Sequence, residues 1–236
     1  MANPGFPTQN AQKVASVWNN SYALVDEGGF YVATNPTTGT GIATTTSVVD
    51  DAATASATHA QNVPVMYIAN RATPSDPNAK TIYLQYLKMY VTAAPTNATF
   101  WNYSIRADNV PRYTSGGSVI TPVNTNTNAP NQSIAQIVFG AVVTANLPSS
   151  NARLLSAGAI QSSIPVVKDL WFMTFGDVVQ PSSILTASAA KNINIPCGPI
   201  AIAPGWNIAI GMWGASNTGA PAWEFELGYV ERVAGQ

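Results

Sequence analysis

The chain has 236 residues and a formal net charge of −1, with 9% charged and 46% hydrophobic residues. Average soluble domains carry about 25% charged residues, so the exterior must consist largely of neutral polar side chains. The ten Lys and Arg residues are scattered rather than clustered, which argues against nucleic acid and membrane surfaces as partners.

The N-terminal region predicts an extended arm. Residues 35–60 are small and polar with little to bury, and residues 9–25 fit a short helix poorly. The N-terminus lacks a basic start followed by an apolar run, so we expect synthesis in the cytoplasm without export. The expected organisation is an arm over 1–60 and one folded domain over 61–236.

From Val63 onward, runs rich in β-branched and aromatic residues alternate with Pro, Gly and Asn punctuation, which is typical of strands. Weaker candidates occur near residues 118, 184 and 193. The better candidates begin at residues 63 (VPVMYIAN), 80 (KTIYLQYLKMYVTA), 98 (ATFWNYSIRAD), 133 (SIAQIVFGAVVT), 152 (ARLLSAGAIQS), 169 (DLWFMTF), 206 (WNIAIGMW) and 223 (WEFELGYVER).

About eight strands and almost no helical pattern predict an all-β fold. Many connections are long enough to cross between sheets, which favours a two-sheet jelly-roll sandwich over a barrel with tight hairpins. The segment 112–132 is rich in Gly, Pro and Asn, and we expect it to be a surface loop.

Catalytic and cofactor motifs are missing from the sequence. The single histidine, His59, lies in a stretch that would not orient it against a nucleophile, and Cys197 predicts a small buried hydrophobe. No phosphate-binding loop or dinucleotide fingerprint occurs. The acidic pairs at 26–27 and 50–51 belong to no recognisable calcium loop, although the possibility that they bind a structural ion stays open. We expect no enzyme activity, no cofactor and no metal site.

The segment RADNVPRY gathers charge at the end of a predicted strand. Asp108 stands between Arg106 and Arg112, and Tyr113 follows, so charge-assisted pairs can form there. Without a base or nucleophile nearby, the pattern favours a turn-stabilising or subunit-bridging ion pair over catalysis.

The segment WEFELGYVER places two carboxylates among aromatic residues. Side chains alternate along a strand, so the aromatic residues face the core while Glu224 and Glu226 project together from the other face. Their spacing of about 6.6 Å suits a glycosidase pair, but such a pair must flank the scissile bond from opposite sides. We therefore expect a solvated or subunit-facing surface, which would discourage sheet addition if this strand is an edge.

Two tryptophans are candidates for ligand contact. Trp206 and Trp213 stand at the ends of WNIAIGMW, where we expect both to be partly exposed. Packing is the simpler role, and a glycan platform formed by these residues or by the 112–132 loop is the alternative.

The order of KTIYLQYLKMYVTA, IRADNVPRYTSGGSVITPVNTNT, SIAQIVFGAVVTA, ARLLSAGAIQSSIPVVKD and WEFELGYVER resembles structural proteins of tailed bacteriophages, in particular jelly-roll proteins associated with the capsid. The resemblance spans about residues 63–232 and implies a virion component on the capsid surface, commonly trimeric, that decorates or cements the shell. Its implied partners are copies of itself and the major capsid protein or other virion proteins. Two alternatives stay open, namely a fibre or spike module that binds a glycan receptor and a major capsid protein with a single jelly roll.

Overall fold

A computed structural model describes residues 24–44, 63–96, 99–144, 151–176, 191–215 and 219–233. His59, the acidic pair at 50–51, most of the possible helix at 9–25 and the weak strand near 184 lie outside these residues. The described strands are β1 (Phe30–Thr34), β2 (Ile42–Ala43), β3 (Met66–Asn70), β4 (Lys80–Ala93), β5 (Thr99–Asp108), β6 (Tyr113–Ile120), β7 (Val123–Asn124), β8 (Ala135–Thr144), β9 (Arg153–Gln161), β10 (Leu170–Phe175), β11 (Asn192–Cys197), β12 (Ala201–Ile202), β13 (Asn207–Ala215) and β14 (Ala222–Val233).

The strands form two sheets. The first sheet has the order β11-β10-β4-β14-β1-β7, with β12 attached to β4 and β2 attached to β14. The second sheet has the order β6-β8-β3-β13-β5-β9. Neighbouring strands run antiparallel except β10 and β11, which are parallel.

The order of the eight principal strands is that of a jelly roll. In chain order these are β1, β3, β4, β5, β9, β10, β13 and β14. They divide into a quartet β1-β14-β4-β10 in the first sheet and a quartet β3-β13-β5-β9 in the second. First and last strands are therefore neighbours, as in two interlocked Greek keys. The all-β, two-sheet jelly-roll sandwich predicted from the sequence is confirmed.

The core lies between the sheets and is centred on three tryptophans. Trp101 of β5, Trp171 of β10 and Trp223 of β14 are at most 1% exposed. Their ring centroids are 4.7–6.1 Å apart, in tilted and edge-on arrangements that suit aromatic quadrupoles. Cys197 is also buried, as expected, and burial raises the pKa of its thiol.

Part of the segment predicted to be an arm belongs to the sandwich. Phe30–Thr34 forms β1 and pairs antiparallel with β14 from Phe30↔Val230 to Thr34↔Glu226. Because β4 covers the other side of β14, this last long strand is central in its sheet. The idea that Glu224 and Glu226 guard a sheet edge is therefore wrong. Strand β1 has only five residues, too few for a clear alternation in the sequence.

The segment 112–132 is on the surface but is not simply a loop. It contains β6, which pairs with β8, and the short β7, which pairs with β1. Most side chains of β6 are exposed, so the sequence lacks the apolar alternation of a half-buried strand. The weak candidates near 118 and 193 correspond to β6 and β11.

Candidate functional site

The two glutamates of β14 lie on the outer face of the first sheet. Trp223 and Phe225, which alternate with them, are at most 2% exposed, whereas Glu224 and Glu226 are half-buried. The predicted alternation is confirmed, and it presents both carboxylates on the same side of the strand.

Strand registers arrange the outer face in rows that cross the sheet. These rows bring together polar and aromatic side chains that are far apart in sequence. One row contains Leu170, Tyr90 and Glu224 on β10, β4 and β14. The next contains Phe172, Lys88, Glu226 and Thr34 on β10, β4, β14 and β1.

A groove of about 590 Å³ lies over these rows, and we call it the outer groove. Its volume is within the ~300–1,000 Å³ typical of ligand sites. The turn after β1 forms one wall: Asn35 accepts a hydrogen bond from Phe225 N at 2.8 Å, and Gly39 N donates to Glu224 Oε1. The lining includes Lys88, Tyr90, Lys168, Leu170, Glu224 and Glu226.

The Glu226 carboxylate is held by two neighbours on β4. Lys88 Nζ lies 3.5 Å from Glu226 Oε2, and the Tyr86 hydroxyl donates to Oε1 at 3.0 Å. The Tyr86 ring stacks on Phe172 at 5.6 Å, which fixes the phenol. Burial, and then the Glu226 charge, raises the pKa of Tyr86, so the hydroxyl keeps its proton and remains a donor.

Lys168, at the other wall, has an unusual backbone conformation. Its φ is +81°, and no other non-glycine residue in the described ranges has positive φ. Lys168 N donates to Val91 O at 2.9 Å, and Val91 N donates to Asp169 O at 2.9 Å. The buried Asp169 side chain accepts hydrogen bonds from Val166 N and Lys191 N. These contacts impose a conformation that most side chains disfavour.

The geometry of the outer groove suits binding rather than bond cleavage. Glu224 is engaged by a backbone amide, and Glu226 by a phenol and an ammonium. A hydrolytic pair needs an acid and a base on opposite sides of the scissile bond. Two fixed carboxylates on one strand face do not provide that arrangement.

The RADNVPRY cluster is mainly a buried structural pair. Arg112 and Asp108 are 4% and 2% exposed, with Nε and Oδ2 3.9 Å apart. Asp108 Oδ1 also accepts a hydrogen bond from Val110 N at 3.0 Å, which supports the turn-stabilising role. Arg106 pairs with no described carboxylate; burial, and then the charge of Arg112, lowers its pKa. Tyr113 stacks on Tyr67 with ring centroids 5.7 Å apart.

Trp206 and Trp213 are half-buried, as predicted, and both pack against the core. The Arg153 guanidinium lies 5.0 Å from the centroid of the Trp206 ring. Because a cation already occupies that face, Trp206 is a poor platform for a sugar.

Glu231 is a buried carboxylate that sequence reasoning missed. Its Oε1 accepts hydrogen bonds from Ser133 Oγ at 2.6 Å and Ile134 N at 2.9 Å, and Lys80 Nζ lies 4.0 Å from Oε2. Burial raises the pKa of Glu231, while these partners oppose the rise. Alternation along β14 could have revealed it, because Glu231 follows Tyr229 by two positions and therefore shares the face of the core aromatic residues.

Two further findings concern ligands and membranes. Within the described ranges, no three His, Cys, Asp or Glu side chains come together as metal ligands. The same residues contain no helix of the length and apolarity needed to cross a membrane.

No family model and no curated protein sequence matches this chain. Among solved structures, the chain is similar to the unassembled VP1 pentamer of KI polyomavirus, with 14% identity over 86% of this chain and 92% of that chain. The TM-score is 0.24. At this level of similarity the jelly-roll assignment rests on the strand order of the chain itself.

Proposed function

We propose that this chain is a non-enzymatic structural subunit of a virus particle. Within that class, we propose a capsid decoration or cement protein of a tailed bacteriophage that stabilises the head as a homo-oligomer, with a trimer as the expected form. A jelly roll alone does not determine a function. The observation that carries the proposal is the surface of the edge strand β9.

Strand β9 has the surface of a strand that another molecule covers. It is an edge of the second sheet, and most of its side chains are exposed, including Leu154 at 56% and Leu155 at 41%. No charged residue occurs from Leu154 to Val167. Edge strands of monomeric proteins are normally protected by charge, proline or a bulge that turns them away. From Leu154 to Gln161 the strand has neither charge nor proline, and its protections are Arg153 at its start and two bulges in its pairing with β5. Further copies of this chain are the cover that this apolar stretch suits.

The opposite edge of the same sheet offers a matching surface. Strand β6 is the other edge, and its Val119 is 65% exposed; Val123, in the nearby β7, is 67% exposed. Apolar side chains on two opposite edges suit head-to-tail contacts, in which β9 of one copy meets β6 of the next. Heterologous contacts form a ring such as a trimer when the rotation between copies closes, whereas a twofold dimer would pair β9 with itself.

Two alternatives share the fold. A major capsid protein with a single jelly roll would assemble closed particles alone, whereas a decoration protein would form small oligomers that bind preformed heads. A fibre or spike module would bind a glycan; the outer groove is the described feature that favours this alternative.

The assembly state of the purified chain tests this proposal. Native mass spectrometry should show a closed homo-oligomer, and electron microscopy should show no closed shells. Closed shells formed by the chain alone would make it the major capsid protein. A chain that stays monomeric at about 10 μM, well above the Kd of a stable interface, would contradict the head-to-tail contact.

A further inference from the structure

The outer groove combines groups that only donate hydrogen bonds with groups that only accept them. The ammonium of Lys168 is a donor, and the carboxylate of Glu224 is an acceptor. A hydroxyl both donates and accepts, so a ligand rich in hydroxyl groups can satisfy both kinds of group. This balance favours a sugar over a purely apolar ligand.

The charges of the groove are unevenly engaged. Lys88 is neutralised by Glu226 at 3.5 Å, whereas Lys168 pairs with no described carboxylate. Lys168 is therefore the cation that remains available for an anionic group. Because Glu224 and Glu226 also line the groove, a ligand with several negative charges would be repelled, and a single negative charge fits best.

The backbone at Lys168 supports a role for its side chain. At φ +81°, glycine or asparagine is the residue that the conformation favours. The hydrogen bonds from Lys168 N to Val91 O and from Asp169 N to Val166 O hold this conformation in place. This backbone conformation does not favour lysine. The contribution of the lysine side chain is therefore the ammonium that it places beside the groove.

Apolar groups supply the remaining contact. Tyr90 and Leu170 are register partners on β4 and β10 and line the groove beside Glu224. One face of a sugar ring consists largely of C–H groups, and such a face packs well on an aromatic ring. Aromatic surface, a hydroxyl acceptor and one available cation thus lie in one groove.

We propose that the outer groove binds an acidic sugar, with its carboxylate at Lys168, its hydroxyl groups at Glu224 and its ring on Tyr90. This site differs from the tryptophan platform and the 112–132 loop that the sequence suggested. It does not depend on the virion role, because a bound sugar requires no particular assembly state.

The test compares methyl β-D-glucuronide with methyl β-D-glucoside, which has the same ring without the carboxylate. Titrations followed by NMR should show the glucuronide binding at least about tenfold more tightly. Acetate, which carries the carboxylate without the ring, should not displace the glucuronide at equal concentration. Equal binding of the two sugars, displacement by acetate, or no binding of either sugar at about 10 mM would overturn the proposal.

A pair of variants separates the role of Lys168 from general charge. Lys168→Asn removes the ammonium and places at φ +81° a residue that tolerates this conformation, so the fold is retained. It should abolish the preference for the glucuronide. Arg71→Asn removes an exposed cation outside the groove lining and should leave the preference intact. Retained preference in Lys168→Asn would contradict the assignment.

Discussion

The Ser133 hydroxyl lies 2.6 Å from Oε1 of the buried Glu231 and 2.6 Å from the Tyr229 hydroxyl. This contact joins β14 to the segment that enters β8. It stabilises the carboxylate, but burial acts in the opposite direction and is the larger effect on the pKa of Glu231.

Glu231 should make the stability of the fold depend on pH. Because its pKa is raised in the folded state, the folded chain binds the proton more tightly than the unfolded chain does. The contribution of Glu231 to stability should therefore fall as pH rises from about 4.5 through the folded pKa. Glu231→Gln removes this titration, so its Tm relative to the wild type should rise across that window.

The control for this titration is Glu226→Gln, which makes the same chemical change at a half-exposed carboxylate. Thermal melts of the three proteins between pH 4 and 8 measure the difference. A Tm difference between Glu231→Gln and wild type that is independent of pH would contradict the assignment.

Gly228 provides the space into which the Tyr86 ring packs on the outer face. A Cβ at position 228 would collide with the Tyr86 ring, which is fixed by Phe172 and by Glu226. Gly228→Ala should therefore lower the free energy of unfolding by about 1–3 kcal/mol, as overpacking does. Gly198→Ala is the matched control, because a Cβ there meets no atom within 4 Å. Equal stability of the two variants in urea titrations would argue against a fixed Tyr86.

The buried and exposed ion pairs should contribute different amounts to the free energy of unfolding. Arg112→Met leaves Asp108 buried without its cation and should cost about 3–5 kcal/mol. Lys88→Met removes the partner of the half-exposed Glu226 and should cost less than about 1 kcal/mol. Denaturant unfolding of both variants makes the comparison, and similar losses would show that the Arg112 pair is not desolvated as described.

The head-to-tail contact predicts that charges introduced on the two edge strands will complement one another. Leu154→Lys on β9 and Val119→Glu on β6 should each weaken the homo-oligomer, because each buries an unpaired charge in the contact. The double variant Leu154→Lys/Val119→Glu should restore association, since Lys on each copy then faces Glu on the next at every contact of the ring. Val110→Lys, in the turn after β5, is the control and should leave assembly unchanged.

Sedimentation velocity measures each species in that experiment. Restored association in the double variant, but not in either single variant, supports contact between β9 and β6. If Leu154→Lys assembles like the wild type, β9 is not at the contact.

Alternation made most of the fold predictable from the sequence. Burial alternates with a period of two over residues 86–92 of β4 and 222–227 of β14, so the faces of these stretches could be assigned. Strands β1 and β6 were missed or weakly detected for physical reasons. The first has five residues, and the second is largely exposed on both faces.

The outer groove was only half predictable. The alternation of β14 identified Glu224 and Glu226 as outward, and the same reasoning applied to β4 would have identified Lys88 and Tyr90. Their approach depends on the register between β4 and β14, which is a long-range property. Lys168 gave no sequence signal, because a positive φ at lysine arises from its tertiary contacts.

The central claim is that this chain is a structural part of a virus particle. Quantitative mass spectrometry of virus particles purified from the source of the chain tests it most directly. The account predicts this chain at a fixed copy number comparable to that of the shell subunit, released together with the capsid proteins. Absence of the chain from purified particles would contradict the claim.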